Sequence, residues 1–262
     1  MAAEKKRWGV NWLGLAVVVL VLVGWQVLAK AGTVEGALPA PTEIWAGLRY
    51  LSGEDGGLWP ALQHTIGVVL IAWLIGAALG AVLGIVLSSN KILASWSTAT
   101  VDMLRSLPVI ALIPIAILLW GNGDETEIVL GAYAALWPML INTAGGVRSV
   151  NPRLREVGRT LGLSRLRVAT RVVMPAAGAA MLVGARLSLA TTLVVCVVAE
   201  MLGLQSGVGN QLVLQQSGMQ PARMWVYVLV TGALGLLANA GMLRAFRLLF
   251  PGVAAVAERS ER

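Results

Sequence analysis

The chain has 262 residues, of which 57% are hydrophobic and only 13% charged. A soluble domain of this size carries about 25% charged residues, so lipid must face much of this surface. One histidine, His64, and one cysteine, Cys196, exclude an intramolecular disulfide and cannot between them build a metal cage, so no metal site is expected.

A bilayer core of about 30 Å takes about 20 apolar residues of helix. Lys5-Lys6-Arg7 precedes a charge-free run from Trp8 to Ala29, too long for the apolar region of a cleaved signal and ended by Lys30. It reads as a retained first span. The second follows over residues 63–89, with Gly76, Gly80 and Gly84 on one helix face. Small residues at that spacing admit another helix backbone closely, either within the chain or from a second subunit. The third span covers 97–120 and the fourth 127–147. The fifth, 176–200, is interrupted only by Arg186, and the sixth covers 223–244. The expected fold is all-α, a single polytopic permease-like bundle of six spans over residues 1–262.

Lys and Arg set the orientation of such a bundle. With the N-terminus in the cytoplasm, that side receives Lys5, Lys6, Arg7, Lys91, the arginines from Arg148 to Arg171, and Arg244, Arg247, Arg259 and Arg262. Lys30, Arg49 and Arg223 fall outside, with Glu35, Glu43, Glu54, Asp55, Asp124, Glu125, Glu127 and Glu200. Both termini are then cytoplasmic. The net charge of +7 is topogenic and calls for no nucleic acid.

Residues 148–175, between spans four and five, are too polar to cross and too patterned for a slack loop. Asn151-Pro152 is a helix start. Leu154, Val157 and Leu161 form one apolar stripe. Gly162 suits a left-handed stop, Ser164 caps a second short helix with Leu166, Ala169 and Val173 on its apolar face, and Pro175 opens span five. Such a basic, amphipathic elbow can be a DNA-binding helix–turn–helix, an interfacial helix on anionic lipid, or a docking knob for a cytoplasmic partner. The flanking spans argue against the first.

Glu156-Val157-Gly158, three residues, Gly162, nine residues, then Val172-Val173-Met174-Pro175 resembles the EAA loop of ABC importer permeases. Val157 and Gly158 stand where that pattern has alanines, Val172 for its isoleucine and Met174 for its leucine. Gly158 weakens a helix by about 1 kcal/mol relative to alanine. Leu38-Pro39-Ala40-Pro41-Thr42, Leu104-Arg105-Ser106-Leu107-Pro108, Leu119-Trp120-Gly121-Asn122-Gly123, Trp137-Pro138-Met139-Leu140-Ile141-Asn142-Thr143 and Ala199-Glu200-Met201 are similar to the subfamily for nitrate, sulfonate and taurine uptake. The resemblance implies a multi-pass subunit of the bacterial inner membrane. It implies cytoplasmic ATPase subunits carrying ATP and magnesium, an extracytoplasmic solute-binding protein, a second permease copy forming a homodimer, and surrounding lipid. It makes the elbow a coupling helix, with Leu154, Glu156, Val157, Gly158, Leu161, Gly162 and Pro175 as its residues and Glu156 paired with an arginine such as Arg159 or one on the ATPase.

No lysine among Lys5, Lys6, Lys30 and Lys91 follows a glycine, so the chain has no nucleotide-binding Gly-Lys-Ser/Thr cradle. It is expected not to be an enzyme and to hold no cofactor, and His64 reads as a structural or interfacial residue. A secondary transporter or channel is the alternative class, although no repeat relates residues 8–120 to 128–247. Candidate pathway residues are Arg105, Pro108, Asn142, Arg186 and Glu200. Arg186 falls near mid-bilayer, where an isolated charge is costly. It serves to attract an anion, or it is held in an ion pair with an acid such as Asp102 or by backbone carbonyls. Glu200 meets a solute-binding protein or is a solvated helix-end charge. Pro114 reads as a bend.

Overall fold

The computed structural model describes residues 12–31, 38–53, 56–88 and 90–249. The basic residues before Trp12 and after Leu249, on which much of the expected orientation rests, lie outside these. The described backbone is helical throughout, in the order α1 (Trp12–Lys30), α2 (Pro41–Leu51), α3 (Leu58–Ser88), α4 (Lys91–Arg105), α5 (Val109–Trp120), α6 (Asp124–Ser149), α7 (Pro152–Thr160), α8 (Arg165–Val168), a wide turn over Ala169–Val173, α9 (Met174–Met201), α10 (Gly207–Ser217) and α11 (Pro221–Leu249). Five of these helices are long and apolar enough to cross a membrane.

The sixth crossing is not the single helix expected over 97–120. In its place stand two helices, α4 and α5, bent by 78° at a short break. Pro108 explains the break, because it has no N–H to give the Leu104 carbonyl and steers Leu107 out of helical geometry. The Leu107 N–H turns back to that carbonyl at 3.3 Å, and a second donor comes from another helix. The Tyr133 hydroxyl of α6 donates to the same carbonyl at 2.6 Å.

The core is the bundle of α3, α6 and α9. With no hydrophobic drive between helices in lipid, close backbone approach and hydrogen bonds hold such a bundle. A Cβ added at Gly76 would strike Ala132 and Ala135, one at Gly80 would strike Leu136 and Met139, and one at Gly84 would come within 2.8 Å of the Leu140 carbonyl oxygen. The glycine stripe of the second span is therefore filled by this chain's own α6, not by another subunit. Pro138 in α6 leaves the Ala134 carbonyl without its helical partner, and the Thr191 hydroxyl of α9 donates to it at 3.3 Å. Trp73 of α3 donates to the Ser188 hydroxyl of α9 at 2.9 Å.

Two short helices had no counterpart among the expected spans. α2 starts at Pro41, and Glu43 folds back to accept the Ala40 N–H at 2.9 Å. This serves the capping role of a third-position glutamate. α2 lays Ile44, Gly47 and Leu51 against the bundle, where Val226 and Tyr227 of α11 join them. α10 packs across the ends of α9 and α3. α1 stands apart. It buries no residue and touches the rest through the Trp25–Trp225 ring pair at 5.6 Å and the Gln26–Thr42 hydrogen bond.

Candidate functional site

At one end of the bundle lies the elbow. The Asn151 side chain accepts the Arg153 N–H at 3.0 Å and starts α7. Gly162 takes φ 72°, a left-handed conformation that costs glycine nothing, and the Leu163 N–H closes back on the Gly158 carbonyl at 3.1 Å. Ser164 caps the next turn, accepting the Arg167 N–H at 3.4 Å. Val168 and Val173 are buried with Val147, Val150 and Ala177, so the second half of the elbow is fastened to α6 and α9. Pro175 opens α9 directly from it.

α7 is left with its apolar stripe outward. Leu154, Val157 and Leu161 are 47%, 55% and 72% exposed. Gly158 faces inward, and a Cβ there would meet Val168 at 3.1 Å. That contact gives a reason for glycine where the resembled pattern has alanine. Glu156 is exposed, and its expected pairing with Arg159 involves a side chain outside those described.

The expected pathway residues do not form one cluster. Arg105 and Asp102 pair on α4 at 2.9 Å, both exposed. This corrects one alternative for Arg186: Asp102 is not its counter-ion. Arg186 is exposed and makes no ion pair among the described residues. Pro108 is exposed at the α4–α5 break. Asn142 is half-buried and donates to the Pro138 carbonyl at 2.8 Å. A cavity of about 250 Å³ opens between α3, α4 and α6, lined by Ser97, Thr98, Asp102, Ile141 and Arg148.

Glu200 differs most from expectation. It is 1% exposed, neither solvated nor free to meet a docking protein. Its carboxylate accepts the Thr65 hydroxyl at 2.6 Å and the Gly209 N–H at 2.6 Å. The Val208 N–H in turn donates to the Thr65 oxygen at 3.0 Å. A carboxylate thus sits on the positive N-terminal end of α10. Gly207 and Gly209 leave room for it, since a Cβ on either would strike Glu200.

Glu127 is 0% exposed in the first turn of α6 beside it. Glu127, expected among the external acids, is thus a buried group. The missed signal is its register: Glu127, Leu130, Gly131, Ala134 and Ala135 share one buried face at helical spacing.

Five long apolar helices with a bent α4–α5 pair, a closely packed α3–α6–α9 core and an outward amphipathic elbow define the chain as a polytopic helical membrane protein. The chain belongs to the family of binding-protein-dependent transport system inner membrane components, whose profile matches residues 76–255, and is the permease of an ABC importer. It is 33% identical over 239 residues to a protein of Bacillus subtilis (strain 168) named as the aliphatic sulfonates transport permease SsuC, covering 90% of this chain and 85% of that one. It is 28% identical over 189 residues to the nitrate import permease protein NrtB of Leptolyngbya laminosa, covering 72% and 68%. Inward-facing MetNI, a methionine ABC transporter, shares the fold with a TM-score of 0.65 at 19% identity, covering 75% of this chain and 99% of that one. An importer permease of this family is a multi-pass inner-membrane protein that works with an ATPase and a binding protein.

Proposed function

We propose that this chain lines the pathway for a small oxyanion of the sulfonate or nitrate kind, and that a separate cytoplasmic ATPase drives it through α7. The observation that carries the coupling reading is the outward stripe of Leu154, Val157 and Leu161 on a helix whose neighbours are buried. An apolar helix face that no part of the described chain covers fits a groove on a partner. Because α8 and the turn after it run straight into α9, displacement of α7 moves a whole span as a rigid body.

Arg186 supports the cargo class. A guanidinium in an apolar span is retained where it meets a polar cavity or a partner, and no acid of the described chain neutralises it. Two copies facing one another, as a homodimer in lipid, place such a cation where an anion passes. The elbow's arginines keep it on the cytoplasmic side with both termini, and an extracytoplasmic binding protein delivers the solute at the other end. Magnesium and ATP belong to the ATPase, and no cofactor is assigned to translocation by this chain.

The test is uptake by proteoliposomes holding the permease, its cognate ATPase and its binding protein, supplied with an alkanesulfonate or nitrate. ATP-dependent uptake that disappears in Leu154→Asp and Val157→Asp, together with loss of ATPase co-purification, is expected. Uptake by the permease alone on a proton or sodium gradient would overturn the reading.

A further inference from the structure

The end of the bundle opposite the elbow holds a second constellation that solute import does not use. His64 of α3, Glu127 of α6 and Glu200 of α9 each bring one ligand-type atom within 4.8 Å of the others. Three helices distant in sequence converge on one point.

The groups facing that point are mostly acceptors, with the buried Cys196 thiol beside Glu127, 4.0 Å from its backbone carbonyl. The His64 Nε2 lies 3.0 Å from a carboxylate oxygen of Asp124. The other ring nitrogen, Nδ1, is turned inward, 3.9 Å from Glu200. Nδ1 is buried and has no hydrogen-bond partner. Both carboxylate oxygens of Glu127 are buried, and no N–H or O–H donor among the described residues reaches either. An imidazole nitrogen and two carboxyl groups brought this close, with both oxygens of Glu127 buried and unpartnered, call for something positive between them. A single proton on Glu127 would satisfy one contact of the three. A divalent ion satisfies all three and neutralises both carboxylates.

We propose that His64, Glu127 and Glu200 form a divalent-cation site that clamps α3, α6 and α9 together at this end of the permease. One imidazole nitrogen with two carboxylate oxygens is a mixed donor set suited to Zn²⁺ or Mn²⁺. Ligand atoms about 2.0–2.2 Å from such an ion lie about 3.3 Å from one another at tetrahedral angles, so small side-chain adjustments close the set. The surrounding bonds are those that orient metal ligands. Asp124 holds the far nitrogen of His64, while Thr65 and the Gly209 N–H hold the two oxygens of Glu200. The role is structural, because the site is buried and lies at the opposite end from the elbow.

His64 is the chain's one histidine, so tag-free protein offers no competing imidazole of its own. The experiment is metal analysis of the intact permease–ATPase assembly, purified without a tag, dialysed against EDTA and re-equilibrated with Zn²⁺ or Mn²⁺ at micromolar concentration. Thermal unfolding of the permease is followed in parallel. About one ion per permease chain is expected, absent in Glu127→Gln and His64→Ala, with a melting temperature that rises on adding the ion to wild type and not to either variant. If the variants do not assemble, the wild type still decides the matter through its ion content and the EDTA sensitivity of its melting. Substoichiometric ion with no change in melting, or equal ion content in wild type and variants, would mean an adventitious ion only. A metal-free wild type matched in stability by Glu127→Gln would mean that Glu127 is a neutral acid donating to Glu200. Either result overturns the site.

Discussion

Glu200 on the last turn of α9 accepts the backbone N–H of Gly209, in the first turn of α10, at 2.6 Å. This bond ties a membrane-spanning helix to the short helix that crosses its end, and Thr65 fastens the same carboxylate to α3. A buried charge held by two donors is also a point of vulnerability. Removing it leaves the Gly209 and Thr65 donors unpaired, and each unsatisfied buried group costs about 1–3 kcal/mol.

Glu200→Ala is therefore expected to destabilise the permease by about 3 kcal/mol. In detergent this appears as a lowered melting temperature and as early proteolysis between α9 and α10. Unchanged melting would show that α10 is held by its other contacts alone.

Tyr133→Phe removes the side-chain donor to the Leu104 carbonyl at the α4–α5 break. A hydrogen bond between helices in a membrane contributes about 0.6–2 kcal/mol. A loss of that size is expected in unfolding measurements. Restoring a helical N–H with Pro108→Ala in the Tyr133→Phe background recovers part of it, which a merely bulky role for the tyrosine ring would not produce.

Gly80 sets the distance between α3 and α6, with the Leu136 carbonyl and Met139 where its Cβ would lie. Gly80→Leu is expected to force the two helices apart and abolish accumulation of folded protein in the membrane. Gly67, which has nothing within 4 Å of an added Cβ, tolerates alanine. Expression and size-exclusion profiles of the two variants check the contrast.

Arg186→Gln is expected to lower uptake of an anionic solute by an order of magnitude or more, while ATPase binding and melting stay near wild type. Its guanidinium makes no ion pair in the described chain, so stability does not depend on one. Intact uptake would remove Arg186 from the pathway.

Apolar length, the excess of arginine in the elbow and the Glu156–Gly162–Pro175 spacing are properties of the chain read in order. They suffice for a polytopic permease of the ABC importer kind because membrane insertion and helix periodicity act locally. What only the tertiary structure decided depends on partners far apart in sequence. Gly76, Gly80 and Gly84 favour an internal contact but leave a subunit contact open until α6 occupies them. Pro108 can bend a span or break it, and the break is accommodated by a hydroxyl from Tyr133 on another helix. Glu127 and Glu200 sit at helix ends, where only the register of Glu127 with Leu130 and Ala134 points to burial and nothing names the partners that close over them. The fold brings both to His64 and, through the glycines that make room for Glu200, turns end-of-helix acids into the centre of a buried polar junction.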